Sequence, residues 1–425
     1  MIHSEMLRHS WPSIFIPEVT RTLPPLTLRT QAGNSFVNED PFTMYVCGIT
    51  PYDATHLGHA ATYLTYDLIL RYQTALGIGV SFAENITDID EPLLERAARD
   101  GVDWKELADS QIELFASDMT ALHIQAPDSF VPVTRVMSLV ERAVTRMQEN
   151  GFVYSVGADL YFDISTFLPK LPISLEAAMA IFAERGGDPA REGKRHPLDP
   201  VLWIAERAGE PGWESSHGKG RPGWHIECAV IALTFLAGEE FLSSADGMTR
   251  SLASSSITLQ GGGSDLIFPH HFMSGAQAEA ITGIPFAQHY VHTALVGLDG
   301  EKMSKSRGNL VFVSQMLQDG TDPMVIRWAL LSTHYQQERM WVPAEMGRFQ
   351  REVDLVRLAL SREEVLPTDQ LINNIVEALS TNLDTPIALK AVLDWAEATV
   401  ASESGSQHGT GELSRTLDAL LGLAL

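Results

Sequence analysis

Short apolar runs alternate with amphipathic stretches along the chain, and each change of period predicts an element. Tyr45-Val46-Cys47 reads as a buried strand, and the segment from Gly58 onward as the start of a helix. Met44 to Tyr72 is therefore strand, loop, helix, and Val80 to Asp90 predicts a second strand running into a polar loop. Strand, helix, strand opens a parallel α/β sheet. Residues 1–40 form a lead-in with several prolines and no periodicity, and a large domain is expected over 41–335. Between about 104 and 207, helical stretches surround a strand at Leu160–Asp163 and a turn at Glu184-Arg185-Gly186-Gly187-Asp188-Pro189, which predicts an inserted α/β subdomain. The sheet is expected to resume at Arg221–Cys228, with strands at Ile257–Gln260 and Tyr290–Leu295. The stretch Gly261-Gly262-Gly263-Ser264-Asp265 ends the first of these. Residues 336–425 show a helical period and predict a C-terminal helical domain, with Ser402–Gly411 as a flexible joint.

Composition narrows the class. The 425 residues are 45% apolar and 20% charged, as in a soluble globular protein of two or three domains. No apolar run approaches the roughly 18 residues of a membrane span. The N-terminus lacks the basic and apolar regions of a signal peptide, and two cysteines make no disulfide framework. A monomer in the reducing cytoplasm, away from membranes, is expected. The formal net charge is −24, and residues 336–425 hold 7 Lys/Arg against 14 Asp/Glu. Proteins that grip long polyanions carry a basic field. The balance favours small-molecule substrates over nucleic acid.

Two constellations carry chemistry. The first is His56-Leu57-Gly58-His59, which sets two imidazoles and a close-approach glycine at a helix N-terminus, a seat for phosphate. Far downstream, Lys302-Met303-Ser304-Lys305-Ser306 offers two cations and two hydroxyls; alone it reads as a solvated loop. The second constellation is Cys47, Cys228 and His270, which fall at strand or loop ends on one expected sheet edge. Two thiolates and one imidazole suit zinc with an open fourth position, ready for a thiol. Without a Cys-x-x-Cys, the same residues also fit plain core packing.

His-Leu-Gly-His and Lys-Met-Ser-Lys-Ser, in that order, resemble the double signature of class I aminoacyl-tRNA synthetase catalytic domains. Val46–His59, Asn85–Asp90, Gly223–Cys228, Gly261–His271 and Lys302–Asn309 together resemble the cysteine-specific branch, which comprises cysteinyl-tRNA synthetases and the cysteine ligases of mycothiol synthesis. Four features look more like the ligases. These are the wording of Gly48–Tyr63, the Glu184–Pro189 signature, Ser274 where the synthetases carry a fourth zinc-binding glutamate, and the acidic tail. Phe272 and His334-Tyr335-Gln336-Gln337 depart from the usual pattern.

The resemblance implies a Rossmann-like parallel sheet and an ATP-dependent, AMP-forming ligation. L-Cysteine is activated as cysteinyl-adenylate and passed to the amine of glucosaminyl-inositol; the alternative is tRNA charging by a synthetase with a reduced tail. It implies one Zn²⁺ on Cys47, Cys228 and His270, and ATP with Mg²⁺ as substrate. His56 and His59 would meet the triphosphate, Gly58 would let adenosine approach, and Lys302 and Lys305 would clamp pyrophosphate. Cys47, Gly48, Ile49, Thr50, Thr62, Asn85, Ile86, Thr87, Trp224, Gly263, Ser264, Asp265 and Val296 would line the adenylate. Asp265 would hold ribose or the amino group, or else cap the following helix. Asp265 and His56 are candidate bases for the amine. Arg185 and Asp188 would bond sugar hydroxyls, or else flank a plain Gly-Gly turn.

Overall fold

Side-chain alternation along the first long strand, β1 (Phe42–Ile49), decides what each face of the sheet buries. Phe42, Met44 and Val46 enter one core, and Tyr45 and Cys47 enter the other. The computed structural model describes residues 3–33, 36, 38–53, 55–238, 255–298, 300–303, 308–405 and 407–425, with backbone only at 3, 4 and 302.

A single turn, α1 (His3–Met6), precedes β1. After β1 come α2 (Leu57–Ala75), β2 (Val80–Ile86), α3 (Glu91–Asp100), α4 (Trp104–Ala121) and β3 (Ser129–Pro132). Helix α5 (Met137–Glu149) leads to β4 (Val153–Val156), β5 (Asp159–Phe162), α6 (Leu175–Glu184), β6 (Val201–Ala205), β7 (Gly220–Pro222) and α7 (Trp224–Ala232). The chain then runs through β8 (Ile257–Gly263), α8 (Phe272–Thr282), β9 (Ala287–Thr293), β10 (Val296–Leu298), β11 (Glu301–Lys302), α9 (Val313–Gln318), α10 (Pro323–Leu331) and β12 (Arg339–Trp341). It ends with α11 (Met346–Leu360), β13 (Glu364–Val365), α12 (Asp369–Ser380), α13 (Thr385–Ala401), β14 (Gln407–His408) and α14 (Gly411–Leu421).

Five strands form one sheet in the order β3-β2-β1-β8-β9, and every neighbouring pair is parallel. The winding reverses between β1 and β8, so the crevice beyond their carboxyl ends is where this topology receives a ligand. β4-β5-β6-β7 form a separate antiparallel sheet. The insertion therefore has its strands between 153 and 222. Expecting it from about 104 was too early, because α4 and the short strand β3 belong to the winding of the parallel sheet. Arg221-Pro222 also differs from expectation: it pairs with β6 and closes the antiparallel sheet. Nor is Ser402–Gly411 a free joint. β14 pairs with β13, and Gln407 bonds the backbone and hydroxyl of Thr368; residue 406 lies outside the described residues. Among the described residues no helix is long and apolar enough to cross a membrane.

The C-terminal helices are locked to α2 by buried charge. Arg71 Nε donates to Asp67 Oδ2 at 2.8 Å, Arg327 from α10 pairs with the same oxygen, and the backbone N–H of Gln125 reaches Asp67 Oδ1 at 2.9 Å. The remaining guanidinium donors reach carbonyl oxygens of Leu122, His123, Asp418 and Leu421. Burial opposes ionisation of Asp67, but Arg71 and Arg327 outweigh it and hold the carboxyl below its usual range. Asp67→Leu strands two buried cations, so it is expected to cost about 3–5 kcal/mol in urea unfolding. A carboxyl held low contributes its full stability above its unfolded value and loses it as pH falls through the folded one. Acid titration of Tm should therefore be shallower in Asp67→Leu than in the parent.

Candidate active site

Helix α2 opens with an imidazole cap. His56 has extended backbone, and its Nδ1 accepts the N–H groups of Gly58 at 3.1 Å and His59 at 3.4 Å. A doubly accepting Nδ1 carries no proton, which leaves the ring proton on Nε2. The His59 ring stacks on His56 with 3.8 Å between centroids. A Cβ at Gly58 would lie 2.8 Å from the His56 ring, so glycine is needed for the cap itself. The first amides of the helix are thus already occupied, and the motif presents imidazoles in place of bare N–H groups. Leu57 N–H donates to Val311 O, and Val313 N–H to Thr55 O. These bonds stitch the loop to the segment that follows the lysine motif. Lys302 ends the hairpin β10–β11, with Met303 buried behind it. Lys305, with Ser304 and Ser306, lies outside the described residues.

The carboxyl ends of β1 and β2 are tied by side chains. The register of β1 against β2 shifts between Val46 and Ile49, and Ile49 then pairs with Ile86. Cys47 and Gly48 occupy that irregularity, a device that re-aims a side chain. Asn85 Oδ1 accepts from Gly48 N at 2.8 Å and Tyr45 OH at 2.9 Å, its Nδ2 donates to Thr87 Oγ1, and Thr87 N–H donates to Ile49 O. The side chains of Asn85 and Thr87 serve each other and the backbone. Thr62 Oγ1 donates to Gly58 O. Ser264 begins a tight turn through Asp265 to Leu266, and Val296 is buried at the start of β10. Thr50, Trp224 and Asp265 wall a cavity of about 820 Å³ between the sheet edge and the insertion.

Cys47, Cys228 and His270 are all buried, and their donor atoms lie within 4.8 Å of one another. Cys47 Sγ is 3.9 Å from Cys228 Sγ, and His270 Nε2 is 3.2 Å from Cys228 Sγ. Both cysteines are free thiols. Burial, reinforced by His225 for His270, holds both rings neutral: His270 sits well below its usual range and His225 near 3. Neutral imidazole is the ligating form. Burial, followed by Cys47, pushes the Cys228 thiol up. A divalent cation reverses that effect by stabilising thiolate. The donor set is that of an open zinc site, and the residues fit the metal. Ser274 turns away and donates to His271 O.

Three groups, Gln260, His292 and His225, escaped the sequence reading. His271 Nε2 stands 3.3 Å from Cys47 Sγ, and Gln260 Nε2 lies 3.3 Å from that sulfur and 3.1 Å from His271 Nε2. His271 Nδ1 meets His292 Nε2 at 2.8 Å, and His270 Nδ1 meets His225 Nδ1 at 3.0 Å. The His-His pair and the Gly-Trp-His run were the available signals; nothing local marked Gln260 or His292. Trp224 stacks on His270 at 4.2 Å, so one ring forms both the back of the donor cluster and a wall of the cavity. Asp90, the N-cap of α3, also lines the cavity, and burial pushes its carboxyl up to about 6. Arg185 and Asp188 reach the cavity wall, where Arg185 Nη1 and both carboxylate oxygens of Asp188 are engaged by protein. Arg185 Nη1 donates to Phe268 O at 2.7 Å and to Asp265 O, while Asp188 accepts from Tyr161 OH and, at 2.8 Å, from Lys194.

A parallel sheet with this winding, a His-x-x-His cap on its first long helix and a donor cluster at the switch point define a class I synthetase-type catalytic unit. The family of class I (C) tRNA synthetases, catalytic domain, matches residues 34–346. An L-cysteine:1D-myo-inositol 2-amino-2-deoxy-alpha-D-glucopyranoside ligase of Streptomyces griseus subsp. griseus is 45% identical over 98% of this chain and 100% of its own length. The protein of the same name from Kribbella flavida is also 45% identical, again over 98% and 100%. The chain belongs to the class I (C) tRNA synthetase family, in the branch of these ligases. Among solved structures, methionyl-tRNA synthetase of Mycobacterium tuberculosis with methionyl-adenylate shares the fold, with a TM-score of 0.59 at 18% identity over 91% of this chain and 89% of that one.

Gly58→Ala is expected to force His56 out of its cap. The lost capping bonds should cost about 0.5–2 kcal/mol in thermal unfolding, together with weaker ATP binding by calorimetry.

Proposed function

We propose that the chain activates L-cysteine with ATP and joins it to the amine of 1D-myo-inositol 2-amino-2-deoxy-α-D-glucopyranoside. The cysteine carboxylate attacks the α-phosphorus of ATP and pyrophosphate leaves. The sugar amine then attacks the adenylate carbonyl, an amide forms and AMP leaves. The observation that carries this reading is the shared Trp224 wall: a donor set suited to a thiol stands directly beside a cavity at the switch point of a class I nucleotide crevice.

In this reading Cys47, Cys228 and His270 hold one zinc ion, which when bound supplies a Lewis acid that takes a thiolate and refuses the hydroxyl of serine and the methyl of alanine. The chain's own residues do the rest. His56 Nε2–H and His59 meet the triphosphate, which enters with Mg²⁺. Lys302 and Lys305 accompany departing pyrophosphate as charge develops on its oxygens. Gly48 to Thr50, Thr62, Asn85 to Thr87, Trp224, Gly263 to Asp265 and Val296 surround the adenylate. The acceptor is a cation when protonated and must lose a proton before attack. Asp90 is the cavity-wall carboxyl whose raised range suits taking that proton, a better base than His56, whose Nδ1 is committed to its cap.

Incubation with ATP, cysteine and the amino sugar is expected to yield the amide by mass spectrometry. Charging of tRNA in place of amide formation would support the synthetase alternative. Metal analysis should find about one zinc per chain and its loss in Cys228→Ala, with discrimination against serine lost in the same protein. Asp90→Asn keeps the helix cap, since asparagine also caps. It is expected to slow transfer by about 100-fold while leaving cysteine-dependent ATP–pyrophosphate exchange intact. A base works deprotonated, so the parent's transfer rate should rise with pH through about 6, and that limb should vanish in the variant.

A further inference from the structure

The Glu184–Pro189 turn invites assignment to the acceptor, because it stands in the cavity wall. Its hydrogen bonds point elsewhere. Helix α6 ends at Glu184, and Gly186 takes φ +83, which folds the chain back so that Gly187 N–H donates to Phe182 O at 2.8 Å. This turn carries Arg185 away from the helix and onto the loop between β8 and α8. There Nη1 donates to two carbonyls at once, those of Asp265 and Phe268, the latter at 2.7 Å. Both bonds are charge-assisted. Phe268 is the kink of that loop, with φ −140 and ψ 136 between two helical turns, and His270 comes two residues later. At the other end of the turn, Asp188 is fastened to the antiparallel sheet by Tyr161 on β5 and by Lys194. The signature spans from the insertion to the one loop that carries both Asp265 and His270.

We propose that Arg185 is a positioning residue for the first half-reaction: the insertion sets, through its guanidinium, where Asp265 and His270 stand relative to β1. The proposal rests on the functional reading above. Removing the guanidinium frees the kink, and His270 keeps its ring contacts with Trp224 and His225 and its approach to Cys228 without that anchor. A displacement of about 1 Å at a reacting centre can cost 100-fold. Cysteine activation should therefore depend on a residue that belongs to the acceptor side of the cavity.

The test uses the full chain as Arg185→Ala, Arg185→Lys and Asp188→Asn. Cysteine-dependent ATP–pyrophosphate exchange is measured without acceptor, and zinc retention is followed against a chelator. The KM for the amino sugar and the thermal midpoint complete the set. Arg185→Ala is expected to lower exchange by about 100-fold and to speed zinc loss, with acceptor KM unchanged and a small fall in thermal midpoint that Arg185→Lys partly recovers. Arg185→Lys, whose ammonium can still donate to both carbonyls, should recover part of the exchange. Asp188→Asn, which loosens the far anchor, should shift exchange in the same direction by less. Normal exchange with a raised acceptor KM would overturn the proposal in favour of a sugar contact. A fall in thermal midpoint that tracks every other loss, with no recovery in Arg185→Lys, would overturn it in favour of a merely structural bond. If the parent shows no cysteine-dependent exchange, the functional reading fails; zinc retention then tests the loop-positioning claim by itself.

Discussion

The register of β1 against β8 is the constraint on which the site depends. Met44, Tyr45 and Val46 lie opposite Leu259, Gln260 and Gly261 in parallel pairing. Cys47 follows directly, beside the glycine-rich end of β8 and on the face that packs α7 and α8. Helix α7 carries Cys228, and the turn that leads into α8 carries His270. Because the side-chain period of a strand is two, a slip of one residue would send Cys47 to the α2 face, among Phe42, Met44 and Val46, and no metal site could form. The same strand hands its carboxyl end to the loop that leads into His56. One register therefore fixes the donor cluster on one face and the His56-capped helix α2 on the other.

Around that register the protein tolerates an unusual concentration of buried polar groups. His270, His271, Gln260 and Glu227 are all buried near the two sulfurs. Burial dominates the electrostatics: it holds His225, His270, His271 and His292 neutral and pushes the Glu227 carboxyl well above its usual range. A polar interior of neutral groups costs less than one of isolated charges, and it delivers imidazoles in their ligating form. The pairs His225–His270 and His271–His292 orient rings by their far nitrogens, as outer partners do at metal sites.

What was legible in the sequence was what local chemistry marks. His-x-Gly-His at a strand-to-helix junction, and cysteines at the ends of elements, announce themselves because the chain order itself places them at the carboxyl edge of a parallel sheet. Strand β3 did not, since four residues flanked by long helices give too little period to separate sheet from insertion. Arg221-Pro222 was misassigned for a related reason: its partner in β6 is set by pairing across the insertion, which no local pattern encodes. Gln260 and His292 were missed because their roles come from register between neighbouring strands, a non-local quantity. Arg185 was noticed for its motif, but its partners are backbone carbonyls some 80 residues away in the chain, and carbonyls leave no trace in a sequence.

The acidic C-terminal helices fit the same picture as a brace. Asp67 lies on α2, the helix that His56 caps, and its charge is answered by Arg71 one turn on and by Arg327 from α10. Arg327 also takes the carbonyl of Leu421 at the end of α14, and His123 Nδ1 lies 3.1 Å from Gly422 O. A buried charge is costly to leave unmatched, so these contacts make the position of α14 and the position of α2 one question. Helix α14 thereby backs α2 from behind, and the acidic segment 336–425 serves the crevice as its support. A brace of that kind has no need of a basic surface, which reconciles a chain of net charge −24 with a catalytic fold shared with enzymes of tRNA.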